Sequence, residues 1–158
     1  MRYDSYGVMW KGVLIGTAMA AMTFAALVRA TPGSQFSSTV LQRSITDARI
    51  KIQTHPQDLS DVLVQQVIAQ PGGYSGWHSH PGPALVAVKA GVVAIYSGDD
   101  PTCTPTYVAA GGAFVEEAGH VHLARNEGTV DYVAYATFVL PAGVPGRTDE
   151  SNPGNCPF

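Results

Sequence analysis

From residue 49 onward, hydrophobic and polar positions alternate in short runs. Residues 49–53 (RIKIQ) set Ile50 and Ile52 between polar neighbours, the period-two pattern of a half-buried strand. Residues 61–70 (DVLVQQVIAQ) are rich in valine and isoleucine and stop at Pro71-Gly72-Gly73, which predicts a longer strand and then a turn. Residues 84–89 and 92–96 flank Ala90-Gly91, a hairpin signal. Further short strands are expected at 107–108, 113–115 and 120–125, parted by Gly111-Gly112 and Glu117-Ala118-Gly119. After Asn126-Glu127-Gly128, residues 130–140 form the longest alternating run. Pro81-Gly82-Pro83 cannot continue a paired strand, and residues 97–105 and the tail from Pro141 read as irregular. Many short strands without a convincing helix predict an all-β chain, closed into a barrel or a two-sheet jelly roll. No internal repeat of fixed period is present.

Composition supports this class. Only 13% of residues are charged, against 17 glycines and 11 prolines, which suits strands and tight turns better than helices. A hydrophobic share of 46% excludes a disordered chain. The net charge of -3, with no basic stripe, disfavours a nucleic-acid partner. Residues 12–28 carry no charge, follow Arg2 and Lys11, and lead to Val28-Arg29-Ala30, with small residues where a signal peptidase reads. Residues 1–30 are therefore expected to be an export signal, with an uncleaved anchor as the alternative. The protein would be secreted or extracytoplasmic, or anchored and facing outward, and would meet a membrane only in those ways. Residues 31–47 then form a leader arm, 48–141 the barrel and 142–158 a C-terminal tail. In an oxidising compartment the two cysteines, Cys103 and Cys156, both among turn residues, are expected to form a disulfide that pins the tail.

Four of the five histidines fall into two His-x-His pairs, His78 with His80 and His120 with His122. Residues i and i+2 of a strand share a face, so one strand can present two imidazoles to a barrel interior. Four such rings converging there would bind a divalent transition metal, whether Fe, Mn, Zn, Ni or Cu. His55, beside Pro56, reads as an exposed loop residue, and Asp99-Asp100 as a turn pair. Alternation puts Trp77 opposite the histidines, outside the barrel wall. Glu117 takes a solvated loop position, and the turn that follows Glu116 leaves its face unassigned.

The motifs resemble those of the cupin superfamily. Gly73, His78-Ser79-His80 and Gly91 are similar to its first motif, and Gly111, Gly119, His122 and Asn126 to its second. The resemblance implies a double-stranded β-helix barrel of the jelly-roll type with one divalent metal, held by His78, His80 and His122. It also implies a small-molecule ligand or substrate, and dimerisation through the sheets is common in such barrels. The family's first motif carries a glutamate where this chain has Ala84 or Leu85, and its second has a proline where this chain has Glu117. Some cupin dioxygenases, such as cysteine dioxygenase and the diketone-cleaving enzyme, use three histidines alone. Three neutral ligands leave the metal charge uncompensated, which favours anionic, chelating substrates. His120 is expected to serve as a catalytic acid/base or a fourth ligand. Two functions follow: a metal-dependent enzyme, dioxygenase-like or otherwise, or a non-catalytic module that binds a metal or small molecule.

Overall fold

The computed structural model describes residue 35 and residues 37–53 and 59–158. The expected export signal, the first part of the leader arm and His55 lie outside the described residues. Among those described, the chain is all-β, with nine strands and no helix long and apolar enough to cross a membrane. The strands are β1 (Ser60–Ala69), β2 (His78–Ser79), β3 (Ala84–Ala90), β4 (Val92–Ser97), β5 (Thr106–Ala109), β6 (Ala113–Glu116), β7 (His122–Arg125), β8 (Tyr132–Pro141) and β9 (Thr148–Asp149). They form a four-stranded sheet in the order β1-β8-β3-β6 and a five-stranded sheet in the order β5-β4-β7-β2-β9. Every pairing of these strands is antiparallel.

The alternation in sequence explains which side chains face the core. Along β8, Tyr132, Ala134, Ala136, Phe138 and Leu140 are buried while the residues between them are half-buried. They pack with Ala84, Val86 and Val88 of β3 and with Val93 of β4. Backbone approach is close at Gly82, where a Cβ would lie 2.0 Å from the carbonyl oxygen of Val139. No other residue fits there.

Two stretches depart from the alternation. Residues 49–53, expected as a strand, are exposed and irregular. A strand needs a partner edge, and the arm's isolated bridge lies earlier, where Ile45 pairs with Gly112. The tail, expected to be irregular, supplies β9, which pairs Thr148 with Ser79 and Asp149 with His78. Beyond it, Cys156 is disulfide-bonded to Cys103 and packs with Trp77, Ala94, Tyr96 and Leu123 on the outer face of the five-stranded sheet. Trp77 thus packs away from the barrel interior, as alternation requires.

Asn126 closes the turn before β8. Fully buried, it donates through Nδ2 to the carbonyls of Ala69 and Val130 and accepts from the Gly128 amide at Oδ1. Asn126→Ala leaves these groups without partners, and we expect a loss of about 2–4 kcal/mol in denaturant unfolding. Removing both cysteines opens a crosslink spanning 53 residues. The expected cost is about 3–4 kcal/mol, and a thiol assay on the denatured, unreduced protein should find no free thiol.

Candidate metal centre

His78 and His122 lie directly opposite each other in the β2–β7 pairing. His80 follows β2, with Pro81 ending the strand. Their ring centroids stand 4.3 Å apart for His78 and His122, 4.9 Å for His78 and His80, and 5.2 Å for His80 and His122. One nitrogen from each lies within 4.8 Å of the others, and all three residues are buried. Phe138 meets His80 edge-on, with centroids 4.9 Å apart.

The chain orients each ring through its backbone. Nδ1 of His78 lies 2.9 Å from the Gly76 carbonyl, Nδ1 of His80 2.7 Å from that of Gly146, and Nδ1 of His122 2.9 Å from that of His120. A carbonyl only accepts, so Nδ1 carries the proton, and the neutral ring keeps its lone pair on Nε2. Backbone anchoring of this kind is how metal-ligating histidines are commonly aimed. His122 Nε2 is buried without a hydrogen-bond partner. An orphaned buried nitrogen among three converging imidazoles fits a divalent transition metal.

A carboxylate joins the cluster. Glu116, the last residue of β6, puts Oε2 3.2 Å from His80 Nε2 and Oε1 3.2 Å from His122 Nε2. Neither approach has the alignment of a hydrogen bond, and His122 Nε2 remains unpartnered. Burial opposes ionisation of Glu116, but His122 and His80 outweigh it and hold its pKa down at about 2. For His122, burial pushes downward and Glu116 overcomes it, leaving a raised pKa. His78 has no such partner, and burial takes it down to about 4.

His120 lies in the turn before β7, outside the three-histidine set. Its Nε2 is 2.8 Å from Ser97 Oγ and 3.4 Å from Asp99 Oδ1, and 40% of its side chain is exposed. Its ring is nearly parallel to that of His122, with centroids 6.3 Å apart. What His120 gives the cluster directly is its carbonyl. Glu117 is exposed, and the Asp100 carboxylate accepts from the amides of Thr102 and Thr104, as a turn residue does.

The cluster opens into a cavity of about 310 Å³, lined by His78, His80, Glu116, Tyr132, Phe138 and Arg147 among others. Arg147, just before β9, donates to the Ser75 carbonyl at 2.7 Å and to Asp149 at 2.7 Å. Glu116 and Arg147 were both missing from the expected site. The first ends a strand whose partner is distant in sequence, and the second lies in a tail with no strand pattern of its own.

A family model for the cupin domain matches residues 65–139. Residues 65–139 form a cupin domain. Solved structures similar to this chain include an uncharacterised conserved protein with a double-stranded β-helix domain from Klebsiella pneumoniae, 21% identical over 75% of this chain and 100% of that one, with a TM-score of 0.48. A cupin-like protein from Thermotoga maritima is 18% identical over 58% of this chain and 65% of that one, with a TM-score of 0.48. A DMSP lyase from Ruegeria pomeroyi is 18% identical over 59% of this chain and 45% of that one, with a TM-score of 0.49. No curated protein matches the sequence.

The ring orientation in the cupin domain is open to direct measurement. In metal-free protein at alkaline pH, ¹⁵N NMR of the imidazoles should find His78, His80 and His122 protonated on Nδ1. His78 should titrate near pH 4, the value to which burial lowers it. In the unfolded chain it takes up its proton near the ordinary histidine value of 6.5, so its contribution to stability is present above that pH. The contribution is lost as pH falls toward 4.

Proposed function

We propose that this protein is exported and that its barrel holds one divalent transition metal on His78, His80 and His122, with a small anionic, chelating molecule as substrate or ligand. The observation that carries the reading is the convergence of three buried imidazoles, each with Nδ1 tied to a backbone carbonyl. The Cys103–Cys156 disulfide supports an oxidising compartment. Imidazole donors suit Fe, Zn, Ni and Cu.

When bound, such an ion supplies Lewis acidity or activation of oxygen. The chain's own residues supply recognition and confinement. Arg147 lends positive charge to the cavity, and its remaining N–H donors suit a carboxylate, enolate or catecholate. Tyr132 and Phe138 give the cavity an apolar wall that limits water. His120 enters the proposal as a proton carrier beside Ser97 and Asp99, since a ligand role would break those contacts.

One observation favours a second reading, binding without turnover. Both Glu116 oxygens are engaged with the histidines, so this carboxylate is not free to act as a base toward a bound molecule.

Elemental analysis of the purified protein tests the metal. We expect close to one equivalent, lost when any one of His78, His80 and His122 is replaced by alanine. A protein that is metal-free as isolated and takes up none on reconstitution overturns the proposal. Arg147→Ala should weaken binding of oxalate or catechol to the metal-loaded protein about tenfold, with metal content unchanged. Oxygen consumption or conversion of the bound acid identifies an enzyme, and saturable binding without either identifies a binding protein.

A further inference from the structure

We propose that Glu116 is the protein carboxylate of this metal centre, delivered from β6 into the space that Ala84 leaves on β3. The inference rests on the metal-binding reading of the three histidines and goes beyond it, because the first motif lacks its acid.

The argument begins with register. Ala84 and Glu116 are direct partners in the antiparallel pairing of β3 with β6. Residues directly opposite in such a pair project from the same face, with Cβ atoms about 5 Å apart. Ala84 is fully buried on the inner face, and its single methyl leaves the neighbouring volume free. A glutamate across the ladder therefore reaches the space that a glutamate at 84 would fill.

The contact geometry points the same way. Glu116 offers one oxygen to His80 Nε2 and the other to His122 Nε2, each at 3.2 Å. Two donors at right angles on an ion with bonds of about 2.1 Å stand roughly 3 Å apart. An ordinary ion pair would align a ring hydrogen with the oxygen, yet His122 Nε2 has no hydrogen-bond partner. The carboxylate is largely buried, its side chain 11% exposed, and its ion-pair partners among the described residues are histidines. A buried charge calls for a compensating one, and a cation shared with the imidazoles provides it. Three neutral nitrogens and one carboxylate leave a divalent ion with a single net positive charge, which, with Arg147 nearby, still favours an anionic ligand.

The test is a titration of the full-length protein with Co²⁺, followed by calorimetry and by the visible absorption of the bound ion. Glu116→Gln preserves shape and removes the charge; Glu116→Ala removes the ligand. Each should weaken Co²⁺ binding by at least about tenfold and alter the absorption bands. Ala84→Glu in the Glu116→Ala background should recover most of the lost affinity, a rescue that a merely structural role does not produce. Far-UV circular dichroism checks that each variant folds, and Glu116→Gln with the rescue pair decides the matter if Glu116→Ala does not. Unchanged affinity and spectrum in Glu116→Gln overturn the assignment while leaving the three-histidine reading intact. Failure of the unmodified protein to take up Co²⁺, Zn²⁺ or Fe²⁺ overturns both.

Discussion

The site depends on one short backbone pairing, His78 opposite His122. Strand β2 is only two residues long, too short to persist by its own ladder. It is held on one side by β7 and on the other by β9. Around it, Ser79 Oγ donates to Glu150 and the Glu150 amide donates to the Trp77 carbonyl. The disulfide fixes the tail a few residues later. The imidazoles are therefore positioned by a segment far from them in sequence, and Gly146 of that segment also accepts the Nδ1–H of His80.

Electrostatics gives the arrangement its direction. Burying three imidazoles and a carboxylate costs solvation, and the structure recovers part of it through the Nδ1 bonds and the contacts of Glu116. Those bonds leave the inward nitrogens as acceptors facing one another. Neutral lone pairs gathered around a carboxylate favour a cation at their centre. His120 shows the limit of such reasoning from spacing. Its turn directs the ring toward Ser97 and Asp99, so the i, i+2 relation to His122 survives only as near-parallel rings.

Much of the fold was legible because a strand's alternation is local. The valines and alanines of β3 and β8 announce their inner faces residue by residue, and the glycine and proline clusters mark where the chain turns. The motif residues Gly73, His78, His80, Gly91, Gly111, Gly119, His122 and Asn126 were sufficient to suggest the cupin barrel. The pattern misled at residues 49–53, where Ile50 and Ile52 alternate correctly without a sheet edge to join. A strand needs a partner, and alternation says nothing about one.

By itself, then, the sequence determined the class of fold, the positions of the turns and which histidines travel together on one strand. It also determined that Ala84 stands where a carboxylate was expected. Tertiary structure alone decided that Glu116 lies across the ladder from that alanine, that Arg147 lines the cavity and that His120 turns toward Ser97 and Asp99. These are relations between segments set by register and by the path of the tail. A strand's own periodicity fixes which face a residue takes, but only pairing across the sheets decides what it meets there.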